Sequence, residues 1–145
     1  MSDVPRAVVD TNVFIASIGR TSPYRWLFDA LLEGDFRLCL STPILLEYEE
    51  VLADKTTPAV SRNVSGLLLA LPNVARVRPH YRWRLIKADP DDNKFVDAAL
   101  AAGAACIVTH DAHFDALREK DFPSVRVLSA EGFRVFLNEQ MDAAW

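Results

Sequence analysis

Short apolar runs alternate with longer amphipathic stretches along the whole chain. Ala7-Val8-Val9 is a strand-like run that ends in Asp10-Thr11-Asn12, which has the composition of a turn. Over residues 23–33, Trp26, Leu27, Ala30 and Leu31 recur at helical spacing, and Gly34-Asp35 ends that helix. Residues 36–40 predict a second strand. Ser41 or Thr42 can cap the helix that follows, with Pro43 in its first turn, where a missing N–H costs nothing. Its apolar face is Ile44, Leu45, Tyr48, Val51 and Leu52, fading near Asp54. Residues 59–71 form a leucine-rich helix stopped by Pro72-Asn73, and 74–77 a short strand closed by Pro79. The segment 80–91 is polar, basic and aromatic without a period, the one long loop. An alanine-rich helix over 92–102 ends at Gly103, and Cys106-Ile107-Val108-Thr109 is a buried strand with His110-Asp111 as its polar exit. A short helix near 114–119, a strand over 125–128 and a terminal helix capped by Ser129 complete the chain. The order βαβααβαβαβα implies an α/β domain with a mainly parallel sheet, because parallel neighbours need crossovers.

Composition bounds the class. The 145 residues, 50% hydrophobic and 25% charged, suit one domain over 1–145 that builds a core without disulfides or structural metal. No apolar run nears the roughly 20 residues a membrane helix needs. Met1-Ser2-Asp3-Val4-Pro5-Arg6 lacks a signal-peptide layout. Cys39 and Cys106 each sit in an apolar run and read as reduced, buried thiols, so the expected compartment is cytoplasmic. The net charge of −4 disfavours a bare electrostatic binder of nucleic acid. With 20 acidic against 16 basic side chains, however, four carboxylates used as cation ligands would leave the rest balanced. A metal-dependent enzyme acting on a polyanion therefore stays open.

Open parallel sheets bind ligands outside the carboxyl ends of their strands. Asp10 ends the first strand and Asp111 the fourth; Asp92 opens the helix before the fourth, and Glu47 lies one turn into the helix after the second. Singly, each is an ordinary turn or cap residue. Four on equivalent loops repel one another unless a cation offsets them. Oxygen donors without a His or Cys set suit Mg²⁺ or Mn²⁺, and a pair of such ions can activate water and stabilise a leaving oxygen in phosphodiester hydrolysis.

In these residues the chain resembles the PIN-domain nucleases, nearest to the bacterial subgroup of toxin components of toxin–antitoxin pairs. Val9-Asp10-Thr11-Asn12-Val13 resembles the family's first motif and Thr42-Pro43-Ile44-Leu45-Leu46-Glu47 its second. Asp89-Pro90-Asp91-Asp92-Asn93-Lys94-Phe95 with Ala98-Ala99 and Gly103 resembles the third, and Val108-Thr109-His110-Asp111 the fourth. The resemblance implies a three-layer α/β/α fold with first and fourth strands adjacent, and metal-dependent cleavage of RNA. It makes Asp10, Asp92 and Asp111 ligands of one or two Mg²⁺ or Mn²⁺ ions, with Glu47 completing the catalytic cluster. Asn12 and Thr109 would orient the carboxylates. Asp97 joins them as a residue beside the cluster, with an extra-ligand role and a solvated or capping role both open. His110 stands where the subgroup commonly has glycine, and His113 where many relatives have a further Asp, which puts the second metal site in doubt. Three residues apart across a strand–helix junction, the two histidines need not converge.

Arg76, Arg78, His80, Tyr81, Arg82, Trp83, Arg84 and Lys87 are the strongest basic and aromatic patch. It can track RNA through Arg82, Trp83 and Arg84, with an aromatic stacked on an unpaired base, or be an edge strand and loop with buried aromatics. Tyr24, Trp26 and Phe28 suit the core or a partner. Leu67, Leu68, Leu69 and Leu71 exceed what one helix face buries, leaving some for a homodimer or an antitoxin segment. Without a glycine-rich turn after the first strand, or a second Asp two residues after Asp10, a dinucleotide-binding domain and an aspartyl phosphatase are disfavoured. The alternatives within the resemblance are a catalytically silent protein- or RNA-binding module, or an RNA-processing nuclease without an antitoxin.

Overall fold

The computed structural model describes residues 4–143; Met1-Ser2-Asp3, half of the stretch scanned for a leader, and residues 144–145 lie outside it. Five short strands, β1 (Arg6–Val9), β2 (Arg37–Leu40), β3 (Val74–Arg76), β4 (Cys106–Val108) and β5 (Val127–Leu128), form one sheet in the order β3-β2-β1-β4-β5. All four pairings are parallel. Flanking them are α1 (Thr11–Ile18), α2 (Arg25–Glu33), α3 (Thr42–Lys55), α4 (Pro58–Ala70), α5 (Asn93–Ala102) and α6 (Ala130–Ala143). Strands covered on both faces must be apolar throughout, and Ala7, Val8, Val9, Leu38, Cys39, Leu40, Ile107 and Val108 are indeed fully buried. No helix among the described residues is long and apolar enough to cross a membrane.

The first and fourth strands are neighbours, with Val9 beside Val108. From β1 the chain winds outward through β2 and β3, then returns across β1 to lay down β4 and β5 on the other side. The winding direction thus reverses between β1 and β4, and helices leave the sheet there in opposite senses. That opens a crevice at the carboxyl ends of these two strands, the usual place for a ligand.

One element departs from the sequence reading. Asp10-Thr11-Asn12 is not a turn but the start of α1, which buries Thr11, Val13, Phe14 and Ser17. Its eight residues are too few to show a period, and only packing pays for so short a helix. Ser41 takes the N-terminal cap position of α3 but its side chain caps nothing. Ser129, by contrast, accepts from Gly132 N–H at 3.0 Å, as expected, and Gly103 closes α5 at φ 61°. The segment around 114–119 is a 3-10 turn over Ala112–Leu117. Of the three leucines of α4, Leu68 is buried, Leu67 packs against the core and Leu69 is exposed, while Leu71, just past the helix, also packs against the core. Phe28 is buried, and Tyr24 and Trp26 pack partly buried against the core.

Both cysteines are free and buried. Burial pushes the Cys39 thiol from 9.0 up to about 11 and that of Cys106 up to about 12. The thiolate is the reactive form, so neither should react with a thiol reagent in the native protein at pH 8, and both should after unfolding. Because both folded-state values are raised, neither thiol costs the fold stability below about pH 9, and each costs it increasingly as pH rises from there toward 11 and 12. Thiol counting with and without denaturant, and urea melts at pH 8 and pH 10, check the two halves.

Candidate active site

Asp10 stands where β1 hands over to α1. Its N–H donates to Val108 O at 2.9 Å, so the β1–β4 ladder itself fixes its backbone. Its carboxylate accepts from the Thr109 hydroxyl at 2.8 Å. The Thr109 oxygen also accepts from Asp111 N–H at 3.0 Å, so one threonine sets two acidic residues. Asp10 is buried, and burial raises its pKa above 3.8; Asp111 and Glu47 raise it further, against the Thr109 hydroxyl and the Thr11 N–H.

Glu47 comes from α3, which is anchored to β1 through the next residue. Tyr48 is fully buried, donates its hydroxyl to Val9 O and stacks on Phe14 with centroids 4.3 Å apart. With Tyr48 held on the strand, Glu47 is directed toward its end. There one carboxylate oxygen accepts from the Thr11 hydroxyl, and the other meets Lys94 Nζ at 2.8 Å.

Asp92 closes the 3-10 turn Pro90–Asp92, and the Asp89 side chain caps that turn by accepting from Asp91 N–H at 3.1 Å. Burial first, then the charges of Asp89, Asp111 and Asp10, push Asp92 up to about 6, against a hydrogen bond from His113. His113 Nδ1 lies 3.4 Å from carboxylate oxygens of both Asp92 and Asp111. Ligand atoms of Asp89, Asp92 and His113 all lie within 4.8 Å of one another.

The structure thus gathers Asp10, Glu47, Asp92, Asp111 and Thr109 at the β1–β4 crevice. Asn12 is exposed at the rim of a cavity shared with Asp10 and Asp111, and its neighbour Thr11 is the residue bonded to Glu47. Asp97 instead accepts from Trp83 N–H at 3.0 Å; burial raises its pKa, against that bond and the Arg82 charge. Asn93 fastens the same loop, accepting from Ile86 N–H at 2.8 Å and donating to Ile86 O at 2.9 Å. Arg82 and Arg84 are exposed, and Arg84 sits at φ 54°. Half-buried Trp83 packs edge-on against exposed Tyr81 and Phe122, at 4.6 and 6.1 Å. His110 turns away and accepts from Ala130 N–H at 3.1 Å, so the two histidines do not converge. Lys94 and Asp89 escaped the sequence reading as site residues. Lys94 meets Glu47 only across the tertiary fold, whereas the Asp89-Pro90 turn before Asp92 was a visible signal.

The donor set is chemically apt for a hard divalent cation: clustered carboxylates, with Asp10 and Asp92 raised by burial first and by their acidic neighbours next, and an imidazole beside them. An open parallel α/β sheet with such a cluster at its reversal point defines a class of α/β proteins with an acidic site at the carboxyl ends of the strands. The PIN-domain family pattern matches residues 6–113, and the chain belongs to that family. No curated protein matches it. Among solved structures it is similar in fold to VapBC2 from Rickettsia felis bound to a promoter DNA fragment, with TM-score 0.60 and 14% identity over 86% of this chain and 98% of that one. DNA-bound VapBC from Salmonella typhimurium is similar at TM-score 0.54 and 16% identity, over 88% and 99% of the two chains.

Proposed function

We propose that this protein is a metal-dependent endoribonuclease and the toxin of a toxin–antitoxin pair. The observation that carries the reading is the convergence of Asp10, Glu47, Asp92 and Asp111, from four separated segments, on the crevice where the sheet reverses. Membership of the PIN-domain family supports the nuclease, and likeness to two VapBC structures supports the toxin and its antitoxin partner.

In this reading Asp10, Asp92 and Asp111 would hold one or two Mg²⁺ or Mn²⁺ ions, which would supply water activation and charge neutralisation at the scissile phosphate. Thr109 keeps the Asp10 carboxylate and the Asp111 backbone in register with β4. Glu47 completes the acidic cluster, its two carboxylate oxygens fixed by the Thr11 hydroxyl and the Lys94 ammonium. Arg82 and Arg84 contact the RNA backbone, and Trp83 with Tyr81 offers a face for an unpaired base. Cleavage leaves a 5′-phosphate and a 3′-hydroxyl. Exposed Leu46 and Leu69 are available to the antitoxin or to a second copy in a homodimer.

The test is cleavage of labelled single-stranded RNA with Mn²⁺, Mg²⁺ or EDTA. Cleavage with either ion and none in EDTA is expected. No cleavage together with no Mn²⁺ binding would leave a silent binding module on the same fold.

A further inference from the structure

The first turn of α3 has an unfilled acceptor position in front of it. Ser41 occupies the cap position with extended backbone, at φ −92° and ψ 165°, yet makes no cap hydrogen bond. Ser41 is 2% exposed, and its Oγ is the one buried side-chain polar atom without a partner among the described residues. A buried hydroxyl left so carries the whole desolvation cost of a bond not made. Behind it, the N–H groups of Thr42 and Ile44 have no intrahelical acceptor, and Pro43 has none to offer. The helix runs for 14 residues, so its N-terminal partial charge is fully developed.

Ser41 and Thr42 line a groove of about 600 Å³ at the carboxyl ends of β2 and β3, faced by Arg76, Arg78, Arg82 and Lys94. Two carboxylates also line it; Asp97 is engaged by the Trp83 N–H beside Arg82, and Asp91 is exposed. With Lys94 already paired to Glu47, three arginines against two carboxylates still leave a net positive charge around a helix N-terminus and an unpartnered hydroxyl, a setting that favours an anion.

We propose that this groove is a subsite for an RNA phosphate neighbouring the scissile one, a role that rests on the ribonuclease reading. The Ser41 hydroxyl and the Thr42 amide donate to its oxygens, and Arg76 and Arg78 supply the charge. Lys94 joins subsite and acidic cluster, since it lines the groove and bonds Glu47 at 2.8 Å. Glu47 follows Ser41 by six residues, about 9 Å along the helix axis, within reach of an adjacent nucleotide. The subsite therefore sets which phosphate reaches the carboxylates.

Inorganic phosphate, titrated into metal-free ¹⁵N-labelled protein at constant ionic strength, should shift the Ser41 and Thr42 amide resonances saturably. Ser41→Asp keeps a residue suited to helix capping while placing a negative charge in the site. It should weaken phosphate on the order of tenfold or more, as loss of a hydrogen bond to a charged group predicts. Arg78→Glu, on an exposed side chain, should do the same without disturbing the core. Both should raise the Kd of a labelled single-stranded RNA for Asp10→Asn protein in EDTA, and lower the salt slope. Absent shifts, or unchanged phosphate affinity in both variants, would overturn the subsite. Phosphate affinity lost with RNA affinity unchanged would overturn its assignment to the RNA strand. Wild-type protein that fails to cleave RNA with either Mg²⁺ or Mn²⁺ while both titrations respond would remove the nuclease reading and leave the anion site standing.

Discussion

Asp10→Asn leaves RNA uncut, with the rate down by about 10³-fold or more, and leaves metal-free protein at least as stable as wild type. The rate follows from the proposed function, in which Asp10 would be a ligand of an ion worth several kcal/mol at the transition state. The stability follows from where Asp10 sits. It is 6% exposed, and burial together with Asp111 and Glu47 raises its pKa above the 3.8 of the unfolded chain. A carboxyl raised in the folded state favours its neutral form, so ionising it costs stability as pH climbs past 3.8, and the whole cost is present above the folded value. Asparagine removes that cost at pH 7 while its carbonyl oxygen still accepts from the Thr109 hydroxyl. Each kcal/mol relieved raises Tm by roughly 2–8 °C for a domain of this size range. Gel assays of labelled RNA and calorimetry in EDTA check both halves. Wild-type cleavage by the variant would move the chemistry elsewhere; lost cleavage with a lowered Tm would trace the loss to the fold.

Mn²⁺ should stabilise the wild-type protein strongly at pH 7.5 and weakly at pH 5. At a hundred times its Kd, a ligand of the folded state alone adds about 2.7 kcal/mol, roughly 5–10 °C in Tm here. Asp92 sets the pH dependence. Burial, with Asp89, Asp111 and Asp10 acting in the same direction, pushes it up to about 6. Above that value it is an ionised ligand. Below it a proton must leave before the cation enters, and affinity falls about tenfold per pH unit for one such proton. Asp92→Asn should abolish most of the shift and flatten its change near pH 6. Scanning fluorimetry between pH 5 and 8 reads this directly, and an equal shift at both ends of that range would place the ion elsewhere.

Much of the fold was legible because apolar runs in a parallel sheet are continuous and its crossover helices are amphipathic. Strands ending at Asp10 and before Asp111, the alanine-rich helix closed by Gly103, and the Ser129 cap all rest on contacts within a few residues. The failures were also local. α1 was invisible because Thr11-Asn12 has turn composition, and its burial comes from α2 and α3 rather than from its own pattern. Ser41 or Thr42 was expected to cap α3; Ser41 takes the cap position, but the packing that buried it left the hydroxyl without a partner.

By itself the sequence determined the alternation of strands and helices and the placing of acidic residues at strand exits and helix starts. Both are short-range properties, carried by periodicity and turn chemistry. Only the tertiary structure decided which side chains meet. Thr109 bonds Asp10 across 99 residues because the chain returns across β1 to lay down β4. The same return sets Lys94 against Glu47 and His113 between Asp92 and Asp111. It also brings Lys94 to one groove with Ser41 of α3 and the arginines that follow β3. Such contacts depend on strand order and winding direction, which no local pattern encodes.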